Sequence, residues 1–125
     1  MSALVVEDEA LTAMELALHL ERRGLGEARL ASTGEDAVRM ARAERPSVAI
    51  MDRGLGGAMG GAEAGRILSF ELGVPVIMLS GCAGAELAPE RLGFEPLAAL
   101  TKPLDDAELD RALDRLEASG PRAAP

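Results

Sequence analysis

Four short segments, far apart in the chain, each close an apolar run on a residue with usable chemistry. Glu7-Asp8 follow Ala3-Leu4-Val5-Val6, Asp52 follows Val48-Ala49-Ile50-Met51, Ser80 follows Val76-Ile77-Met78-Leu79, and Lys102 follows Leu97 to Thr101. In an open parallel sheet, residues at the carboxyl ends of the strands converge on one crevice. Three carboxylates, a hydroxyl and an ammonium at one point are the parts of a divalent-metal and phosphoryl site. Crowded carboxylates repel unless a hard cation neutralises them. Mg2+ suits them, because it takes one or two carboxylates, keeps waters and bridges to phosphate oxygens. Asp52 is the best-placed nucleophile, since it ends the central apolar run just before a glycine-rich loop, and its attack on phosphorus gives an aspartyl phosphate. Lys102 then neutralises one phosphoryl oxygen as a point charge, the Ser80 hydroxyl donates to another, and Gly81 leaves room for the incoming group.

Positioning these residues needs a regular alternation of strands and helices. Apolar runs of four to six residues do alternate with stretches of helical period, which marks βα units and a parallel sheet. Strands are expected near 2–7, 27–31, 47–52, 75–80 and 96–101, and helices near 9–23, 34–44, 62–72, 84–92 and 105–118. The last helix is the clearest: Leu109, Ala112, Leu113 and Leu116 fall at i, i+3, i+4, i+7, and Asp105 with Glu108 forms a capping box. The second starts at Thr33 or Gly34, and Pro46 fixes the loop before the third strand. Pro89 makes the fourth helix short, starting near Pro89, and leaves Ser80 to Phe94 with low local stability. On the first helix Thr12, Glu15, His19, Arg22 and Arg23 form a polar wedge, which makes His19 a surface residue. Leu11, Met14, Leu16, Leu18 and Leu20 span more of that helix than one sheet face can cover, leaving apolar surface for a partner helix or for the last helix.

The bulk numbers agree with one ordinary domain. The 125 residues are 48% hydrophobic and 27% charged, enough for a single core. No apolar run reaches the eighteen or so residues of a membrane span, and Met1-Ser2-Ala3-Leu4 lacks the basic start of a signal peptide. A soluble cytoplasmic protein is expected. A net charge of −8 disfavours nucleic acid and anionic membrane surfaces and favours metal cations and protein partners. Cys82, the single cysteine, excludes an internal disulfide and a cysteine-based zinc site, and an inert thiol is its expected state. The glycine run 54–61 lacks the Gly-x-x-x-x-Gly-Lys-Ser/Thr pattern of an ATP loop; it is expected to be mobile and to approach a metal closely.

Leu4-Val5-Val6-Glu7-Asp8-Glu9, Ala49-Ile50-Met51-Asp52 followed by Leu55-Gly56-Gly57, Ser80-Gly81 and Thr101-Lys102-Pro103 together resemble the receiver domain of two-component response regulators. The resemblance covers essentially the whole chain. It implies a doubly wound, five-stranded (βα)5 flavodoxin-like fold, Mg2+ as cofactor, phosphorylation by a histidine kinase or histidine phosphotransferase, and slow self-hydrolysis rather than enzyme turnover. By motif, Asp52 resembles the phosphoacceptor, Asp8 a direct metal ligand, Glu7 a ligand acting through water, and Gly54 a carbonyl ligand. Ser80 resembles the switch hydroxyl, and Lys102 the lysine before a cis-proline, here Pro103. Two positions depart from the pattern: Ala99 stands where an aromatic residue usually swings inward, and the loop after Asp52 lacks the usual Leu-Pro. Val74 to Cys82 is similar in part to a stand-alone receiver subgroup reading Pro-Phe-x-Phe-Ala-Thr-Gly-Tyr.

The expectation is therefore a receiver domain over 1–118 with a frayed tail at 119–125, signalling by protein contact because no effector domain follows, its partner either a kinase or phosphotransferase four-helix bundle or a downstream target protein. Two other classes compete with it. One is a phosphorylation-independent interaction module, favoured by Ala99. The other is a haloacid-dehalogenase-like phosphohydrolase, which needs a second aspartate where Gly54 stands.

Overall fold

The computed structural model describes residues 2–81 and 87–118. The expected tail at 119–125 and Cys82, together with the expected start of the fourth helix at 84, lie outside the described residues. Strands and helices alternate along the chain: β1 (Ala3–Val6), α1 (Ala10–Arg22), β2 (Arg29–Ala31), α2 (Gly34–Ala43), β3 (Val48–Asp52), α3 (Gly61–Leu72), β4 (Val76–Ser80), α4 (Pro89–Leu92), β5 (Ala98–Thr101) and α5 (Asp106–Ala118). All strand pairs are parallel, in the order β2-β1-β3-β4-β5. The alternation predicts the βα units and the parallel sheet, and the whole is the five-stranded flavodoxin-like architecture that the resemblance to receiver domains implies. The order reverses between β1 and β3, which opens a crevice at their carboxyl ends.

The strands form because their residues suit burial on both faces. Every residue of β1, β3 and β4 is buried, as apolar runs in a covered parallel sheet should be. Alternate residues feed two cores. Val5, Ile50, Ile77, Leu79 and Leu100 pack with α1 and α5 through Leu16, Leu20, Leu109 and Leu113. Leu4, Met51, Val76 and Met78 pack with α2, α3 and α4 through Val38, Ala64, Leu68 and Leu92. Edge strand β2 is shorter than its expected span because its ladder with β1 holds only Arg29, Leu30 and Ala31.

Local signals place the helix ends. The Thr33 hydroxyl accepts the Asp36 N–H at 3.1 Å and opens α2. The Asp105 carboxylate accepts the Ala107 N–H at 2.8 Å and opens α5. Gly73 ends α3 in the left-handed conformation (φ 63°), a role that favours glycine. Pro89 occupies the first turn of α4, where its missing N–H costs no helical bond, and Gly93 closes that helix one turn later (φ 80°).

His19 is not the surface residue that its polar wedge predicts. Its side chain keeps 18% exposure, and its Nε2 lies 2.7 Å from Asp110 Oδ1 on α5, with Asp106 Oδ1 3.8 Å from Nδ1. Arg23 continues the seam to Asp110 at 3.1 Å and Asp114 at 2.8 Å. Two members of the wedge, His19 and Arg23, thus make the α1–α5 contact; Asp110 and Asp114 lie 91 residues beyond their partners in sequence and could not be matched to them by periodicity. Consequently α5 does not cover the apolar surplus of α1. Leu16 and Leu20 are buried, whereas Leu11, Met14 and Leu18 stay 65%, 56% and 50% exposed.

The His19 hydrogen bond, with help from Arg23, holds the Asp110 carboxyl below its ordinary value of 3.8. A depressed carboxyl contributes stability that is present above the unfolded pKa and lost as pH falls through the folded one. Asp110→Asn should therefore be less stable than the natural protein at pH 6, with the difference closing as pH falls towards 3, as read by urea unfolding across that range.

Candidate functional site

β1 and β3 end side by side, because Val5 pairs with Ile50 and Val6 with Met51. The next residues, Glu7 and Asp52, therefore emerge together at the sheet edge. Backbone bonds extend the ladders past the strands: Glu7 N–H donates to Ala31 O (3.0 Å), Arg53 N–H to Leu79 O (2.8 Å), and Lys102 N–H to Ser80 O (2.8 Å). The last of these carries Lys102 across from β5 towards the crevice. Lys102 precedes Pro103 through a cis peptide bond.

Lys102 Nζ donates to Glu7 Oε2 at 3.0 Å and to Asp52 Oδ2 at 3.4 Å. Both carboxylates are nearly sealed from solvent, and the Lys102 side chain is 30% exposed. The remaining oxygens are held by backbone: Gly54 N–H donates to Asp52 Oδ1 (3.0 Å), and Glu9 N–H to Glu7 Oε1 (3.2 Å). Asp8, exposed, completes a group of three carboxylates whose nearest oxygens all lie within 4.8 Å of one another. Ser80 is buried at the end of β4, in register with Thr101.

The electrostatics are unbalanced. Burial, reinforced by the charge of Asp52, raises the Glu7 carboxyl above its ordinary value although the Lys102 hydrogen bond opposes this. Burial also works against the charge on Lys102, but the Glu7 hydrogen bond and the Asp52 charge outweigh it and raise the ammonium. One ammonium facing three carboxylates leaves an oxygen-lined pocket of negative charge, the donor set of a hard divalent cation.

Sequence reasoning named all these side chains and missed the backbone that orients them. The Gly54 N–H on Asp52 is one such group. Gly61 is another: a Cβ there would collide with the Asp52 carbonyl oxygen. Within the run 54–61 only Gly57 takes a positive φ (95°). A glycine needed for close approach looks in sequence like one needed for turning.

The class of protein that this fold and site define is also the one comparison finds. The chain matches the response regulator receiver domain over residues 3–114, and it belongs to that family. It is 30% identical over 111 residues to the transcriptional regulatory protein PdtaR of Mycobacterium tuberculosis, covering 89% of this chain and 54% of PdtaR, so it spans about half the length of that relative. Among solved structures it is similar to the receiver domain of a signal transduction histidine kinase from Syntrophus aciditrophicus (28% identity, TM-score 0.83, 98% of this chain and 94% of that one). It is also similar to the receiver domain of a sensor histidine kinase from Pseudomonas aeruginosa PAO1, whose crystal structure carries a magnesium ion coordinated in the active site cleft (31% identity, TM-score 0.76, 94% and 97%). No helix among the described residues is long and apolar enough to cross a membrane.

Removing the shared ammonium leaves two buried carboxylates facing each other. Lys102→Met should lower unfolding free energy by about 1–3 kcal/mol at neutral pH in the absence of divalent metal, less than for a fully buried pair because Lys102 is partly solvated. Glu7, already raised by burial, then loses the hydrogen bond that opposes its protonation, so the deficit should narrow on acidification to pH 4, as followed by urea titration.

Proposed function

We propose that this receiver domain accepts a phosphoryl group on Asp52 from a histidine kinase or histidine phosphotransferase and signals by protein contact in the cytoplasm. The observation that carries this reading is the single Lys102 ammonium bonded to both Glu7 and Asp52, with Asp8 beside them at the topological switch of the sheet. Glu7, Asp8 and Asp52, with the Gly54 carbonyl, would hold Mg2+, as the cleft of the Pseudomonas aeruginosa relative holds its ion. When bound, the metal supplies positive charge to the phosphoryl oxygens and relieves the repulsion among the three acids.

The chain's own residues divide the remaining work. Gly54 N–H fixes Asp52 Oδ1, so Oδ2, on the Lys102 side, faces the crevice as the attacking oxygen. Its lone pair forms the O–P bond while the N–P bond of the donor phosphohistidine breaks, and the leaving imidazole takes up a proton. Lys102 exchanges its bond to Asp52 for one to a phosphoryl oxygen, and the Ser80 hydroxyl donates to another. Water later attacks phosphorus and returns the carboxylate with inorganic phosphate, in slow self-dephosphorylation. Gly54 has no acid to protonate an alcohol leaving group, which disfavours an aspartate-nucleophile phosphohydrolase.

The stripe Leu11, Met14 and Leu18 supports a protein partner, because these residues are exposed on one side of the helix that starts two residues after Asp8. A macromolecular donor over Asp52 has this apolar surface within reach. Ala99 is exposed on β5 and has no ring to swing, so the output does not use an aromatic switch at that position.

Incubation with acetyl phosphate and Mg2+ should add one phosphoryl group to the protein by intact mass, and none to Asp52→Asn; equal labelling of that variant would move the nucleophile elsewhere. A phosphorylation-independent module would take up no label at all.

Mg2+ should also stabilise the fold, by about 1.4 kcal/mol at ten times its Kd, with a melting temperature that keeps rising with metal concentration. Asp8→Ala should lose most of that rise. An unchanged metal response in both Asp8→Ala and Asp52→Ala would place the ion outside this cluster.

A further inference from the structure

The loop between β3 and α3 starts at Asp52, carries Gly54, and returns at Gly61 against the Asp52 carbonyl. Residues 53–60 include four glycines, a composition with more conformational freedom to lose than any other. A backbone carbonyl borne on such a segment is a good ligand only if something else fixes the segment. At the near end, Leu55 is buried among the residues packed on α2 and α3. At the far end the first turn of α2 reaches across: Met59 N–H donates to Glu35 Oε1 at 3.0 Å. A Cβ at Gly57 would lie 3.8 and 3.9 Å from the two Glu35 carboxylate oxygens, so the left-handed turn of the loop sits against the same side chain. Gly34, just before Glu35, allows the approach, since a Cβ there would be 2.7 Å from the Met59 carbonyl oxygen.

We propose that Glu35 is a positioning residue for the metal and phosphoryl site: by holding Met59 it orders the loop that presents Gly54. Glu35 touches none of the reacting groups and acts through the loop backbone. The proposal rests on the metal reading given above. It assigns a function to the start of α2, an element that supplies no residue to the crevice itself.

The test compares the full chain with Glu35→Ala and Glu35→Gln. Glu35 is exposed, so both variants should fold. Mg2+ binding is measured by calorimetry, and amide exchange of residues 54–60 and of β3 is measured without metal. Glu35→Ala should weaken Mg2+ binding about three- to tenfold and speed exchange in the loop, with β3 unchanged, as expected for loss of one hydrogen bond to a charged acceptor at a solvated position. Glu35→Gln keeps an acceptor oxygen for Met59 and should stay within about twofold of the natural protein. Equal weakening in both variants would mean that Glu35 acts by charge at a distance, and natural-like binding in Glu35→Ala would mean that it positions nothing; either overturns the proposal. A natural protein that takes up no Mg2+ would overturn the metal reading and this proposal with it. In contrast, normal Mg2+ binding with slow loop exchange in Glu35→Ala would overturn only the role of Glu35.

Discussion

One ammonium shared between two buried carboxylates is the constraint around which this domain is arranged. Lys102 lies at the end of an edge strand, Glu7 and Asp52 at the ends of two inner strands, and no single element could bring them together. The parallel register does so by aligning strand ends, and the Lys102 N–H on Ser80 O extends that alignment to β5. Burial makes the interaction matter. A pair exposed to water would be worth little, whereas here the acids have little solvent to fall back on and depend on the shared ammonium.

The fold and the site were legible in sequence to different depths, for physical reasons that individual residues show. Strands β1, β3 and β4 are buried on both faces, so their composition alone marks them, and a site at strand ends can be read from where the apolar runs stop. Pro89 likewise announced a helix beginning at its first turn. His19 was misread because a polar wedge on an amphipathic helix signals solvent unless the opposing surface is known, and that surface is made of Asp106, Asp110 and Asp114 on the last helix. The glycine run is read in sequence as a loop that moves and approaches a metal closely; what sequence does not show is that Gly61, and Gly34 outside the run, bring backbone against backbone where any side chain would intrude. Contacts of that kind leave no periodicity, since they depend on two segments at once.

The two layers of helices have different relations to the crevice. On one side, α1 and α5 are joined by a charged seam through His19 and Arg23, and Thr12, His19 and Asp106 line one cavity together with Lys102 and Pro103. On the other, α2 and α3 meet over small residues, Gly34 against Ala64, and lie close enough to hold the loop that follows Asp52. Polar linkage and steric fit thus flank the same carboxylates from opposite faces of the sheet.

The edges of the sheet bear on how the molecule can associate. Edge strand β2 offers three residues, and the guanidinium of Arg29 within it turns back to the Met40 and Glu44 carbonyls at the end of α2. The opposite edge, β5, offers four, with Pro103 two residues beyond its end to interrupt any further donor row. Strands this short give an incoming strand only a few main-chain hydrogen bonds, too few to template sheet extension. Association of this domain therefore depends on side chains, which carry sequence information, and a chain that merely presents an extended backbone gains no foothold.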